Sequence, residues 1–333
     1  MPRFLILTDC GSHVGYGHIN RCTSIKTALL QRNAQVFTAV YHLGVDAIDS
    51  DWEGCWENSI SELISKFSPT HILVDSFRVD ETFFKNLASL PLNLAIIDDF
   101  PERDHQKGVV INWTVGAELD SFIPRQREVV YLLGSNYCCL RTEFLQAIPR
   151  KNKSGKLKVL VTFGGSDIRG LSLPMADYLS RAHPELSVSL VLGAGTSSDV
   201  VEQFPRQVAI YRNCSAREMC HLMDDSDFAI CGGGQTLYEM ASRGLPPIIT
   251  PLIDNQMADI NGFTSRNFGL KTEEWDSPCL MTSVEDAIKK MLDPQVRSVH
   301  ASRGLDLVDG KGLARLVSVL LKDHYDESIV DCS

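Results

Sequence analysis

Four short stretches of this chain carry residues that could hold a phosphate group or move a proton. The first runs from Gly11 to Arg21, where Gly15 and Gly17 flank Tyr16 and His18 follows in the first turn of a helical stretch. Glycine lets backbone approach a ligand closely, and a helix start offers unpaired N–H groups. Imidazoles titrate near neutrality, so His18 suits a general base wherever a substrate oxygen or water lies within reach. An ordinary turn with a solvent-facing histidine uses the same residues, and spacing alone leaves the two readings level. His13 sits farther out in the loop and is the weaker candidate. Asn20 stands where the dinucleotide fingerprint G-x-G-x-x-G needs its last glycine, so that motif is excluded.

The second stretch is Gly164-Gly165-Ser166-Asp167, a tight turn after a strand that suits a phosphate or sugar but equally a plain structural turn. The third is Gly232-Gly233-Gly234-Gln235-Thr236, followed by Glu239. Three successive glycines are costly in backbone entropy, which is easier to understand if a ligand must come close. Amides at the helix start could receive a diphosphate, and Glu239 could accept two ribose hydroxyls. The competing role for Glu239 is a capping box with Thr236. The fourth is Asp254-Asn255-Gln256, three hydrogen-bonding side chains on one loop, or else an exposed surface turn. No Gly-Lys-Ser/Thr follows any glycine run, so a Walker loop is excluded. No H-E-x-x-H or G-x-S-x-G occurs, and His71, His105, His183 and His221 are scattered, so neither a metal site nor a serine hydrolase is expected. The acid pair Asp98-Asp99 suits loop amides or ligand hydroxyls better than a divalent ion.

These stretches need strands to present them. Phe4–Thr8, Val36–Val40, His71–Asp75, Leu94–Ile97 and Val109–Asn112 are continuous apolar runs, the pattern of a parallel sheet covered on both faces. Ile60, Leu63, Ile64 and Phe67 repeat at helical spacing. In such sheets ligands sit beyond the carboxyl ends of the strands, where the Gly11–His18 loop, Asp75–Phe77 and Asp98-Asp99 all fall. A second series follows: Leu157–Phe163, Leu186–Leu192, Val208–Tyr211, Phe228–Cys231 and Ile248–Thr250 as strands, with helices around Met219–Met223 and Leu237–Ala241. The basic run Pro149–Lys156 between the two series reads as a linker, dividing the chain into 1–150 and 156–333. The last helix, Gly310–Leu321, could pack across either domain. Trp52 and Trp56, four apart, read as a packed helical stripe, and Trp113 as core or cleft wall.

A chain of 333 residues with 44% apolar is long enough for roughly two domains, each with its own core. Lys and Arg number 32 against 42 Asp and Glu, a formal charge of −10 that argues against a nucleic-acid partner. The ten cysteines form no disulfide framework and contain no C-x-x-C, which points to reduced thiols in a cytoplasmic protein. The amino terminus is too quickly polar for a signal peptide, and no run approaches ~18 apolar residues, so no membrane span is expected.

Taken in order, Gly15-Tyr16-Gly17-His18 with Arg21-Cys22, Ile72–Asp75, Ile97-Asp98-Asp99, Leu132–Tyr137, Leu140–Phe144, Val161–Asp167, Gly232–Glu239, Gly244-Leu245-Pro246 and Asp254-Asn255-Gln256 span nearly the whole chain. This ordered set resembles the UDP-sugar hydrolases of pseudaminic acid biosynthesis, which remove UDP from a 2,4-diacetamido-2,4,6-trideoxy-altropyranose donor. They are relatives of the glycosyltransferase that forms peptidoglycan lipid II. The resemblance implies an α/β, GT-B-like fold: two facing Rossmann-like domains with parallel sheets and an interdomain cleft. The amino-terminal domain would carry the catalytic loop and sugar side, the carboxy-terminal one the UDP.

Residue by residue, the resemblance implies that His18 is the general base, with Asp75 and position 77 beside it at the reaction centre. Gly15, Tyr16, Gly17 and Arg21 would border the substrate, and Gly164, Gly165 and Ser166 would shape the nucleotide side. Gly233, Gly234, Gln235 and Thr236 would meet the diphosphate, Glu239 the ribose, and Asp254, Asn255 and Gln256 the donor. No cofactor is called for, and the only partner implied is a small UDP-sugar; nothing requires more than a monomer. One departure stands out. The hydrolases have His-Tyr after the strand ending at Asp75, whereas this chain has Ser76-Phe77, and Phe77 has no hydroxyl to donate or accept. Four outcomes remain open: hydrolysis of that donor with water positioned differently; action on another UDP- or CMP-linked sugar; transfer of the sugar to a hydroxyl acceptor; and binding without turnover.

Overall fold

The computed structural model describes residues 1–11, 17–43, 49–100, 103–118, 128–146, 155–165, 167–193, 207–322 and 325. The chain divides into two compact units, Met1–Arg141 with Lys311–Ser333, and Thr142–Gly310.

In the first unit, β1 (Arg3–Gly11), β2 (Gln35–Leu43), β3 (Trp52–Glu53), β4 (His71–Asp75), β5 (Asn93–Ile97), β6 (Gly108–Asn112) and β7 (Val129–Leu133) form one sheet. Its order is β3-β2-β1-β4-β5-β6-β7 and every pairing is parallel. Helices α1 (Gly17–Gln31), α2 (Ile60–Phe67) and α3 (Glu81–Ala88) lie between the strands in sequence. Every residue of β4 is buried, as a strand covered on both faces demands. Helix α2 buries Leu63 and Phe67 in the core under β1 and β4, with Ile60 and Ile64 packed alongside. From β1 the chain steps outward to β2 and β3, then returns to the other side of β1 with β4. The boundary between β1 and β4 is therefore the topological switch point, where doubly wound sheets open a crevice at their carboxyl ends.

The second unit repeats this plan with β8 (Lys158–Thr162), β9 (Ser187–Leu192), β10 (Val208–Arg212), β11 (Phe228–Cys231), β12 (Pro247–Ile249) and β13 (Leu270–Lys271). The order is β10-β9-β8-β11-β12-β13, again all parallel, so its switch point lies between β8 and β11. Among the described residues, the helices that accompany it are α4 (Ser172–Ala182), α5 (Ala216–Asp225), α6 (Gln235–Ser242), α7 (Met257–Ser265), α8 (Leu280–Met291) and α9 (Pro294–Leu307). The last helix, α10 (Gly312–Leu320), belongs to the first unit and packs on α1 and on the turn Ser135–Tyr137. Gly312 permits this approach: a Cβ there would lie 2.4 Å from the Cys138 carbonyl oxygen.

Three details differ from the sequence reading. The second unit starts at Thr142, ahead of the basic run in which the sequence places the linker, because the turn Thr142–Phe144 packs on α5. Residues 147–154 of that run lie outside the described residues. Strand β1 continues past Thr8 to Gly11. Trp52 and Trp56 share no helix: Trp52 is in β3, and Trp56 opens a short 3-10 turn. Gly54 between them has φ +144°, a conformation no helix contains, and a Cβ there would meet the Trp52 ring at 2.8 Å. Trp56 is fully buried and its Nε1 donates to the Thr8 carbonyl at 2.9 Å. Among the described residues no helix is long and apolar enough to cross a membrane.

Candidate functional site

At the first switch point, the register pairs Thr8 of β1 with Asp75, the last residue of β4. Helix α1 starts at Gly17, so His18 lies in its first turn and Arg21 follows three residues later on the same face. Both turn to Asp75. His18 Nδ1 is 2.6 Å from Asp75 Oδ1, and Arg21 Nε donates to Oδ2 at 2.6 Å while its Nη2 donates to Oδ1. The Cys22 thiol donates to Oδ2 at 3.4 Å.

Asp75 is 0% exposed. Burial by itself pushes its carboxyl up, but the Arg21 guanidinium and His18 outweigh that and hold it well below the usual carboxylate range. An ionised carboxylate can only accept, so the imidazole proton sits on Nδ1 and the lone pair on Nε2. Arg21 Nη2, 3.2 Å from Nδ1, is then a neighbour of the ring rather than a donor to it. The arrangement is an oriented base: a carboxylate fixes the tautomer and stabilises the charge that the ring gains on taking a proton.

Ser76 and Phe77 divide between two neighbours. Ser76 Oγ donates to the carboxylate of Asp9, which is also 0% exposed. Arg78 reaches the same carboxylate from Nε at 3.4 Å, pairs with Glu57, and lies 3.5 Å over the Tyr41 ring. Burial pushes the Asp9 carboxyl above its ordinary value against the pull of Ser76 and Arg78. Phe77 instead meets the His18 ring edge-on, with centroids 4.4 Å apart and planes at 82°. It supplies packing that restricts ring rotation, and no hydrogen bond. Beyond Arg21 lie Asp99, at 3.5 Å, and the ring of Trp113, at 5.0 Å. The other acid of that pair, Asp98, is absorbed locally by His105 Nε2 at 2.7 Å and the Phe100 amide at 3.1 Å.

At the second switch point the materials are different. Gly164 (φ +83°) and Gly165 are exposed beyond β8, and a Cβ on either would meet nothing within 4 Å. Across from them, Gly232-Gly233-Gly234 joins β11 to α6. Two of these glycines have an internal reason: a Cβ on Gly232 would strike Leu252 Cδ1 at 2.6 Å, and one on Gly233 would strike Gln256 Cβ at 2.8 Å. Gly234 has φ +100° and leads into α6 with no side-chain cap. The Gly233 amide donates to Gln256 Oε1 at 3.2 Å, which ties the turn Asp254–Gln256 to the glycine loop. Asp254 and Asn255 on that turn are exposed, whereas Gln235 and Thr236 are half-buried. Glu239 is 3% exposed on α6 and makes no capping box with Thr236.

Of the expected site residues, Gly17, His18, Arg21, Asp75 and Phe77 gather at the first switch point. Gly164, Gly165, Gly233, Gly234, Gln235, Thr236, Glu239, Asp254, Asn255 and Gln256 belong to the elements around the second. Gly15, Tyr16 and Ser166 lie outside the described residues. Asp9 and Arg78 join the first cluster without having been singled out, and Trp113, read from the sequence as core or cleft wall, lies beside Arg21. Asp9 follows an apolar run just as Asp75 does, which is the signal that could have found it.

No family model matches this chain. Among curated proteins it is 26% identical over 267 residues to the Helicobacter pylori pseudaminic acid cytidylyltransferase and UDP-2,4-diacetamido-2,4,6-trideoxy-beta-L-altropyranose hydrolase, covering 78% of this chain and 46% of that protein. The Bacillus subtilis spore coat polysaccharide biosynthesis protein SpsG is 25% identical over 348 residues, 97% of this chain and 99% of that one. The Campylobacter jejuni UDP-2,4-diacetamido-2,4,6-trideoxy-beta-L-altropyranose hydrolase is 25% identical over 191 residues, 54% of this chain and 66% of that one. The chain spans about half the length of the first curated relatives that it matches. The resemblance carried by the ordered motifs is thus borne out. In structure, MurG from Acinetobacter baumannii superposes with TM-score 0.63 at 12% identity, over 96% of this chain and 98% of that one. The spinosyn rhamnosyltransferase SpnG complexed with thymidine diphosphate gives TM-score 0.65 at 13% identity, over 96% and 99%. The fold is that of the GT-B glycosyltransferases, two α/β units each built on a parallel sheet.

Proposed function

We propose that this chain hydrolyses a UDP-linked 2,4-diacetamido-2,4,6-trideoxyhexose to UDP and the free sugar, a step toward a nonulosonic acid. One observation carries the reading: the His18 imidazole is held on Nδ1 by the buried, ionised Asp75, which leaves Nε2 as a base. Nε2 takes a proton from a water molecule as the water oxygen bonds to the anomeric carbon. The bond from that carbon to the diphosphate oxygen breaks, and its electron pair leaves with UDP. Asp75 then faces an imidazolium, whose charge it stabilises until the proton passes to solvent. In the second unit, the loop Gly233-Gly234-Gln235 is assigned to the diphosphate, where donors stabilise the charge that develops on the leaving group. Glu239 is assigned to the ribose, and Asn255 and Gln256 to the donor.

A second reading has its own support in Phe77. The hydroxyl that the hydrolases place there is missing, and the same base could deprotonate the hydroxyl of an acceptor in a glycosyltransferase. Release of UDP from UDP-2,4-diacetamido-2,4,6-trideoxy-altrose without acceptor, followed by phosphorus NMR, separates the two. Hydrolysis predicts rapid release that falls about 10²- to 10⁴-fold in His18→Ala, the range of general-base contributions. No release from this donor or from UDP-N-acetylglucosamine, with UDP still bound, would remove hydrolysis and send the search to acceptors.

A further inference from the structure

The nucleotide side of this chain is short of positive charge. The stretches Gly164–Asp167, Gly232–Thr236 and Pro251–Gln256 contain two aspartates and no lysine or arginine. A diphosphate held there by backbone dipoles alone would lack a counter-charge. Among the described residues of the second unit, Arg169 is a cation that contacts one of these loops, Pro251–Gln256. Arg169 sits in the turn that follows β8, and its position is fixed at both ends. The Gly170 amide donates to the Asp167 carbonyl at 2.8 Å, and the buried Asp167 carboxylate accepts from the amides of Leu171 and Ser172, both at 3.0 Å.

The guanidinium is held as firmly as the turn. Its Nε donates to the Leu252 carbonyl at 3.1 Å, and its face lies 4.1 Å from the centroid of the Trp275 ring. Trp275 is pinned to the same segment, since its amide donates to the Pro251 carbonyl at 3.1 Å. Leu252, which receives Arg169, is the residue whose side chain closes on Gly232. Arg169 therefore stands against the segment that packs on the glycine loop.

Four arginines of this chain are matched to an acid inside the fold: Arg21 to Asp75, Arg78 to Asp9, Arg103 to Asp98, Arg243 to Asp224. Arg169 is an exposed residue with no carboxylate partner among the described residues; its Nε is occupied, and no described residue accepts from its two terminal nitrogens. A planar, stacked guanidinium with two parallel donors left over has the geometry for a phosphate oxygen pair. We infer that Arg169, held over the Trp275 ring, is a cation that receives the diphosphate of the nucleotide. The inference rests on the nucleotide-sugar reading above, but it concerns binding and not turnover.

Binding of UDP by calorimetry and of uridine by ligand-observed NMR, in the wild-type chain and in variants, tests it. Arg169→Ala weakens UDP by roughly 10- to 100-fold, the range for charge-assisted hydrogen bonds, and leaves uridine unchanged. Arg169→Lys, which keeps the charge but loses the fork, falls between. Trp275→Ala weakens UDP by about 3- to 10-fold, whereas Trp275→Phe, which keeps a ring face, retains most of the affinity. If Arg169→Ala does not fold, Arg169→Gln carries the same expectation. Equal weakening of UDP and uridine would make Arg169 a structural residue and overturn the inference, as would unchanged UDP affinity. Arg169-dependent UDP binding with no release from any donor would remove hydrolysis and keep this contact. Hydrolysis with a UDP affinity indifferent to Arg169 would do the reverse.

Discussion

The two units wind their sheets in the same order, yet their switch points are built from opposite materials. Between β1 and β4 the chain buries charge: Asp75 under His18 and Arg21, and Asp9 under Ser76 and Arg78. Between β8 and β11 it places glycines and turns, with Asp167 spent on backbone amides. Shared topology sets where a site can be, and side chains decide what it can do. Buried charges pay their desolvation only if paired, so the first switch point is a network in which each group depends on its partners. The second depends on shape, since Leu252 and Gln256 leave room for hydrogens alone at Gly232 and Gly233.

The contrast is broken most severely by Asp75→Asn. The variant removes the charge that fixes His18 and leaves Arg21, whose side chain is 12% exposed, facing an amide. Breaking a buried pair costs about 3–5 kcal/mol, so Tm falls sharply. Turnover falls by about 10³-fold or more, because the ring loses both its tautomer and its counter-charge. Calorimetry and UDP release check the two effects separately. A variant with native Tm and native turnover would mean that the first switch point does not work through its charges.

Gly233→Ala probes the other region. Its new Cβ would lie 2.8 Å from Gln256 Cβ and 2.9 Å from Ile260 Cδ1, backed by helix α7. Overpacking of this kind costs about 1–3 kcal/mol, and the loop must shift away from Gln256. The expected kinetic signature is a raised KM with kcat at saturation nearly unchanged, opposite to Asp75→Asn. A fall in kcat that matched Asp75→Asn would erase the distinction between the two switch points.

The same contrast explains what could be read from the chain. Strand β4 was legible because five buried residues run without interruption into a carboxylate, and the covered parallel sheet needs such runs. That His18 meets Asp75 was not legible: 57 residues separate them, and only the β1–β4 register brings them together. Trp52 and Trp56 misled because their four-residue spacing matches a helix, while the φ of Gly54 forbids one. The glycines at 232–234 were seen as unusual for a sound reason, but spacing could not reveal that Leu252 and Gln256 already account for two of them. Sequence periodicity reports local repeats, and these contacts are long-range.

A smaller effect tests whether the charge cluster at His183, in the second unit, is structural. His183, at the end of α4, joins Glu285 of α8 through Nε2 at 2.8 Å and Glu185 through Nδ1 at 3.1 Å, and Tyr178 donates to Glu285 at 2.7 Å. Burial alone would lower the His183 value, but the two carboxylates raise it above the ordinary one; Glu185 is lowered first by a backbone amide and Glu285 first by the Tyr178 hydroxyl, with His183 adding to both. A raised histidine contributes its stability fully below the unfolded value, about 6.5, and loses it as pH rises through the folded value. The lowered carboxylates contribute above their unfolded value, about 4.3, and lose it as pH falls through the folded ones. The clamp is therefore strongest between these limits. His183→Gln should cost on the order of 1 kcal/mol or less near pH 6, and the gap to wild type in Tm should narrow by pH 9. UDP affinity should not change at either pH. A gap that widens as pH rises would reverse the sign of the coupling, and a loss of UDP affinity would show that this charge belongs to the site after all.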